Sequence, residues 1–410
     1  KKAARDKNLE VDVDRLLAMY EEVRALTSQA DSLRGERNSL SREIPKLKGE
    51  AQQQGIIRVR DLKDEISEIE GRLAVVKEEF DELMLLVPSI PLPEVPIGKD
   101  EADNVELRRV GEVPQFAFAF KDHLELAEAL DIVDIPRAVE IAGSRSFMLK
   151  NAGALLEMAV TRFVIDRLMA KGFNLLTVPV LVRERAMMGT GYFPLGRDQA
   201  YVVPEDELYL VGTSEVPMVS FHMDEILSYR DLPLRYTALS TCFRREAGTY
   251  GKDTRGLYRV HQFQKVEQVV FCPADDAIAE KLHYQLLQNV EEILQDLELP
   301  YRVALACTGE IGVGQVRKHE VETWMPSRNA YSETHSCSTL NDYQSRRLNI
   351  KYRDSDGKSK FCYTLNNTGI ASPRILIPLL ENHQNEDGSV NIPKVLWPYM
   401  NGLKKLVPKE

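Results

Sequence analysis

The chain has 410 residues, 43% of them apolar and 28% charged, the balance of an ordinary globular protein. No apolar run approaches the roughly 18 residues of a membrane-spanning helix, and the basic N-terminus leads into no apolar stretch like that of a secretory signal. A net charge of −10 excludes a uniformly basic nucleic-acid coat, and five cysteines without a CxxC pair make neither a disulfide framework nor a zinc finger.

The first ninety residues carry a coiled-coil pattern. Leu16, Met19, Val23, Leu26, Ala30, Leu33, Arg37, Leu40, Ile44 and Leu47 recur at spacings of three and four, apolar except for Arg37. Leu62, Ile66, Ile69, Leu73, Val76, Phe80, Leu83 and Val87 continue the alternation. A period near 3.5 keeps one stripe of each helix against a partner, so the two runs predict an antiparallel hairpin over residues 1–87. The reversal is expected between Lys48-Gly49 and Gly55, with Pro45 kinking or ending the first helix. Charge is uneven along this arm: residues 34–63 hold eight basic side chains against four acids, and residues 64–87 hold two against eight. That distribution reads as a solvated face or as a basic tip made to meet phosphate.

Pro88, Pro91, Pro93 and Pro96 predict an extended linker over 88–105, because each fixes its own φ and restrains its predecessor. The remainder, 106–410, has the composition of a mixed domain. Strands are predicted at Glu207–Val211, Arg235–Phe243, Tyr258–Phe271, Arg302–Cys307 and Phe361–Leu365, and helices at Asn151–Lys171 and Ala274–Leu297. No regular strand–helix alternation appears, so the expected class is α+β: an antiparallel sheet flanked by helices, preceded by the helical arm.

The densest candidate for chemistry is Arg235–Phe271. Two strand-like runs, Tyr236–Glu246 and Tyr258–Glu267, flank a glycine-rich connection, Ala247 to Gly256, that reads as a flexible loop. Alternation puts Arg244 and Glu246 on one face of the first run. On the second it aligns Arg259, His261, Phe263, Lys265 and Glu267. Such a face is costly to bury and reads as a polar ligand site or a solvated sheet face.

Phe243-Arg244-Arg245-Glu246-Ala247-Gly248, followed by Arg255 to Phe263, resembles motif 2 of class II aminoacyl-tRNA synthetases. Thr213-Ser214-Glu215-Val216-Pro217, Lys265-Val266-Glu267, Glu333 to Ser338 and Thr364 to Gly369 follow the order of the seryl-tRNA synthetases of the bacterial type. Ser372-Pro373-Arg374 resembles the start of motif 3, and Gly172-Phe173 with Pro179 resembles motif 1. The resemblance, arm included, spans nearly the whole chain.

It implies a ligase that activates L-serine with ATP and transfers it to tRNA(Ser), with tRNA(Sec) as a further acceptor. Arg244, Glu246 and Arg374 become the catalytic set. Thr213, Ser214, Glu215, Arg244, Glu267, Asn366 and Thr368 become the serine site, in which Glu267 and Thr368 read the hydroxyl. ATP falls to Arg244, Arg245, Glu246, Val260, Phe263, Glu333, Thr334, His335, Ser336 and Arg374, with Phe263 stacking on the base. Mg²⁺ accompanying ATP falls to Glu333 and Ser336, and no protein-bound zinc is implied. The resemblance also implies a homodimer formed through motif 1, tRNA gripped by the arm, and cytoplasmic residence or an organellar matrix after leader removal. His335 and Arg245 stand where bacterial-type members commonly carry Ser. Pro378 is expected to kink the motif 3 helix. A ligase charging a carrier protein would share the adenylation face without needing the arm, and a silent paralogue would share the fold alone.

Overall fold

The computed structural model describes residues 1–248 and 256–409, which form two compact units, Lys1–Pro88 and Ser89–Glu410. The first is the helical pair. Helix α1 (Val13–Glu43) starts where the Asp12 carboxylate accepts from the Arg15 amide, a side-chain N-cap. It ends in a single 3₁₀ turn, Ile44–Lys46, which contains Pro45. Helix α2 (Glu50–Met84) runs back antiparallel, with Gly49 (φ 63°) supplying the left-handed residue of the reversal. Leu16, Met19, Leu26, Ala30, Leu62 and Ile66 are buried along the seam, and Tyr20 meets Phe80 with ring centres 6.2 Å apart. Gly55 differs from expectation: it lies inside α2, not in the turn. A Cβ there would come 3.0 Å from Ile44 Cγ1, so this glycine lets the helix pass close under the 3₁₀ turn.

In the second unit, residues 89–104 form no strand, turn at Leu92–Val95 and at the 3₁₀ segment Glu101–Asp103, and pack onto their own domain. Ser89 and Leu92 donate backbone hydrogen bonds to Val313 and Val316, and Val95 is buried with Ala306 and Ile311. The main elements that follow are β1 (Val105–Val110), α3 (Ala152–Ala170), β2 (Asn174–Leu176), β3 (Leu234–Phe243), β4 (Gln262–Cys272), α4 (Asp276–Asp296), β5 (Tyr301–Leu305), β6 (Arg317–Met325), β7 (Ala330–Asn341), β8 (Tyr363–Ser372) and α5 (Leu376–Asn382). The eight strands make one sheet in the order β1-β5-β6-β7-β8-β4-β3-β2, antiparallel except for β2 beside β3. Helices α3 and α4 cover one face and close the main core, which includes Leu156, Phe163, Leu286, Val290, Val266 and Ile370.

Several strand limits shift from the sequence reading. The first motif 2 run stops at Phe243 and the second starts at Gln262, so Arg244, Glu246, Arg259 and His261 lie beyond the ladder. Residue Glu246 takes a left-handed φ of 53°, which strict alternation does not allow. Of the predicted glycine-rich loop, residues 249–255 lie outside the described residues. The strand predicted at Glu207–Val211 is shorter, Leu208–Leu210, and sits in a small separate sheet. Pro378 causes no kink, because it occupies the first turn of α5, where its missing N–H would have had no helical partner.

Candidate functional site

A cleft opens over the neighbouring strands β7, β8 and β4. Alternation along β4 brings Phe263, Lys265 and Glu267 to it, and β8 supplies Asn366 and Thr368. Glu267 and Thr368 are register partners, held there by a bulge in which Gly369 is the extra residue. A second bulge acts on β7: Val321 pairs with His335 and Glu322 with Glu333, leaving Thr334 unopposed. Residues three apart on a regular strand would face opposite ways. With the extra residue, Glu333 and Ser336 are both half-exposed while Thr334 and His335 are buried. The Thr334 hydroxyl meets the Thr323 hydroxyl at 2.7 Å and His335 Nδ1 at 2.9 Å. Burial, with Arg374 nearby, pushes the His335 imidazole down to about 3, so it is neutral at ordinary pH.

The inner end is a carboxylate corner. Thr213 is fully buried and its hydroxyl donates to Glu267 Oε2 at 3.3 Å, while accepting from the Glu215 amide at 3.2 Å. Lys265 Nζ pairs with the same Glu267 oxygen. Glu215 Oε1 accepts from Asn366 Nδ2 at 2.7 Å and Gln344 Nε2 at 2.8 Å, and Oε2 accepts from the Tyr192 hydroxyl at 2.9 Å. Burial, then the neighbouring Glu267 charge, raises the Glu215 carboxyl above its usual range.

The outer end is built for anions. Arg374, one residue past Pro373, donates from Nε to the Tyr258 carbonyl at 3.2 Å and from Nη1 to the Glu333 carbonyl at 3.0 Å. Its guanidinium lies 4.4 Å from the Tyr258 ring centre. Arg244 lies 5.1 Å from the Phe263 ring centre, its Nε and Nη2 directed at the Gly212 carbonyl. Arg259 Nη1 stands 3.3 Å from Glu246 Oε2. Four cations (Arg244, Arg259, Lys265, Arg374) thus face four carboxylates (Glu215, Glu246, Glu267, Glu333) around one cavity, a poor arrangement for a dry core and a good one for a zwitterion beside a polyanion.

Of the residues expected from the sequence, Glu215, Arg244, Glu246, Val260, Phe263, Glu267, Glu333, Thr334, His335, Ser336, Asn366, Thr368 and Arg374 line this cleft. Thr213 is not among the lining residues and reaches the cleft only by its bond to Glu267. Ser214 also lies behind the lining, its hydroxyl directed at the Ala238 carbonyl. Arg245 turns away, its Nη1 directed at the Asp198 carbonyl. Among the described residues no group of three or more His, Cys, Asp or Glu could hold a metal. Glu333 and Ser336 supply two oxygen donors, which fits a Mg²⁺ that keeps waters and phosphate oxygens as its other ligands. The sequence reading passed over Tyr192 and Gln344, which lie in no motif, and left Lys265 and Arg259 without a role; alternation also turns Tyr258 and Val260 away from this face, whereas both line the cleft.

Residues 1–91 match the family model described as the seryl-tRNA synthetase N-terminal domain, and residues 201–383 match the class II core domain of the Gly, His, Pro, Ser and Thr synthetases. The chain is 47% identical over 406 residues to the serine–tRNA ligase of Deinococcus radiodurans, covering 99% of this chain and 96% of that one. It belongs to the seryl-tRNA synthetases. Among solved structures, the Pyrococcus horikoshii seryl-tRNA synthetase complexed with ATP superposes with a TM-score of 0.90 at 40% identity, over 97% of this chain and 94% of that one. The cytoplasmic serine–tRNA ligase of Naegleria fowleri, in complex with AMP, gives 0.87 at 29% identity, over 100% and 95%. The carboxylate corner and the anion-binding end open into one cavity, whose floor is the ladder β7–β8–β4 and whose remaining charged groups come from segments beside it.

Proposed function

We infer that the chain is a serine–tRNA ligase that joins serine to ATP as seryl-adenylate and passes the seryl group to the terminal ribose of tRNA(Ser). The observation that carries this reading is the pairing of Glu267 with Thr368 in the corner beneath Arg244. A serine carboxylate oxygen attacks the α-phosphorus of ATP, and pyrophosphate leaves with the cleaved P–O bond electrons. No proton transfer to protein is needed, so positioning and charge neutralisation supply most of the acceleration. The planar fork of Arg244 would bridge the two mutually repelling oxyanions, the serine carboxylate and the α-phosphate. Glu246 accepts from the adenine amino group, Phe263 stacks on the base, and Arg374 holds the γ-phosphate. Glu333 and Ser336 would hold Mg²⁺, which would supply neutralisation of phosphate charge.

Specificity rests on the hydroxyl. Glu267 and Thr368 read it, and Glu215 with Asn366 holds the ammonium end. Glycine and alanine leave Glu267 without its substrate partner, a larger penalty than a missing methylene would give. Threonine has the hydroxyl and is excluded by its extra methyl. The arm grips tRNA through its basic tip. Pairing of two copies through the motif 1 region is supported by Met158, Met169 and Leu175, which remain exposed there, and light scattering of the purified protein checks it. Residence in the cytoplasm, or in an organellar matrix, belongs to the same reading. ATP–pyrophosphate exchange without tRNA tests the activation step: serine drives it, whereas glycine, alanine and threonine do so at least about 10²-fold less well. Absence of serine-dependent exchange with Mg²⁺ present overturns the reading.

A further inference from the structure

Arg244 is the first residue past the end of β3, and something other than the sheet must hold its backbone. The register that pairs Phe243 with Gln262 would next pair Arg244 with His261, each donating its N–H to the other's carbonyl. Only half of that exchange is made by the main chain. The Arg244 amide donates to the His261 carbonyl at 2.9 Å, but the His261 amide goes elsewhere, to the Arg145 carbonyl at 3.2 Å. The vacated place is taken by the His261 ring, whose Nδ1 lies 2.9 Å from the Arg244 carbonyl. A carbonyl can only accept, so Nδ1 must carry a proton.

The swap has a visible consequence. Freed from β3, the His261 amide ties in the 143–147 turn, where Arg145 has a left-handed φ of 58° and directs Nη1 toward the Arg259 carbonyl at 3.4 Å. The strand can therefore end at Gln262 and let residues 258–260 swing out to line the cleft, while Arg244 keeps both backbone bonds. Tyr201 meets the His261 ring edge-on with centres 6.1 Å apart, restricting its rotation. On the far side of Arg244, the Arg245 amide donates to the Gln199 carbonyl at 3.0 Å, and the Gln199 side chain holds both Ala247 backbone groups.

We propose that His261 is a positioning residue for adenylate formation: its Nδ1–H replaces a missing ladder bond and fixes the backbone from which Arg244 reaches the reacting oxyanions. The inference rests on the proposed role of Arg244 but is tested separately from it. His261→Leu removes the donor at similar volume, and His261→Asn restores an N–H near the position of Nδ1. In serine-dependent ATP–pyrophosphate exchange by the full chain, His261→Leu is expected to lower kcat about 10–100-fold, the penalty of a displaced reacting group. Its KM for ATP and its melting temperature stay near those of the parent protein, and His261→Asn regains most of the rate.

Two results overturn the proposal: an active parent protein whose His261→Leu variant keeps kcat within twofold, or a loss in His261→Leu that Asn leaves unrepaired. If the parent shows no exchange, the functional reading fails while the geometric claim remains open to ¹H–¹⁵N correlation of the imidazoles. That spectrum shows a protonated Nδ1 for the signal lost in His261→Asn, and an Nε2–H tautomer refutes the bond.

Discussion

Glu267 accepts from Thr213 and pairs with Lys265 in a place where both members of the ion pair are nearly inaccessible, at 2% and 7% exposure. Two consequences can be separated. Glu267→Ala removes the group proposed to read the hydroxyl and also strands a buried ammonium, which costs roughly 3–5 kcal/mol of stability when a pair is broken from one side. Lys265→Met/Glu267→Ala removes the reader without leaving a charge, and such replacements are often close to neutral. Urea unfolding should therefore find the double variant more stable than the single Glu267→Ala variant. Exchange assays should find both equally poor at preferring serine over alanine, with serine kcat/KM down about 10²–10³-fold, the scale of an unmade bond to a charged group. A double variant less stable than the single would show that Lys265 has another buried partner. Retained preference for serine would remove Glu267 from the hydroxyl.

At the scale of elements, the bulges on β7 and β8 set which side chains meet. Gly369, the extra residue on β8, lies where a Cβ would stand 3.1 Å from the Val266 carbonyl and 3.2 Å from Val164 Cγ1, with backbone on one side and α3 on the other. Gly369→Ala should cost about 1–3 kcal/mol in urea unfolding, as overpacked core positions do. The shift it forces should fall on Thr368, raising KM for serine more than KM for ATP, and equal effects on both would mean that the bulge does not aim Thr368. These bulges also explain what the sequence could not show. Period two reads Phe263, Lys265 and Glu267 correctly because β4 is regular there, and heptad spacing reads α1 and α2 because nothing interrupts the seam. Glu333 and Ser336 have the wrong spacing for one face of a strand, and Glu246 lies beyond the ladder in a left-handed conformation. Only their place in the family motif selects them. Strands β6 and β7 went unpredicted because Lys318, Glu320, Glu322 and Glu333 give them the look of a solvated segment, although all but Glu333 are well covered in the fold. Tyr192, which lines the cleft, and Gln344, which lies behind it, are far apart in sequence and are brought together only at Glu215.

Across the whole molecule, the two compact units divide the chemistry. The catalytic unit holds every residue of the cleft, and the arm holds the charge asymmetry. Within the arm, Arg34 is committed to Asp31 and Glu70, and Arg58 to Glu36 and Glu65. Arg42, Lys46, Lys48, Arg60 and Lys63 have no such carboxylate among the described residues, so the positive field at the tip is not cancelled locally. Acids of the stem are partly consumed by Arg15–Glu79 and Arg72–Glu22 across the helix pair. A field of that form favours phosphate at the tip and repels it along the stem, which supports the proposed grip on tRNA at the tip without reading of its bases. Replacing Arg42, Lys46, Lys48, Arg60 and Lys63 by Gln should leave α1 and α2 folded, since the seam is untouched, and should leave serine-dependent exchange unchanged. Aminoacylation of tRNA(Ser) should lose kcat/KM by at least about 10²-fold near physiological salt, and the salt dependence of tRNA binding should flatten by a slope of roughly 0.7–0.9 for each phosphate no longer neutralised. Deleting residues 20–85 should carry the same effect to completion, with exchange retained and charging abolished. If the deleted protein still charges tRNA, the arm is not the grip, and its uncompensated tip must serve another anion.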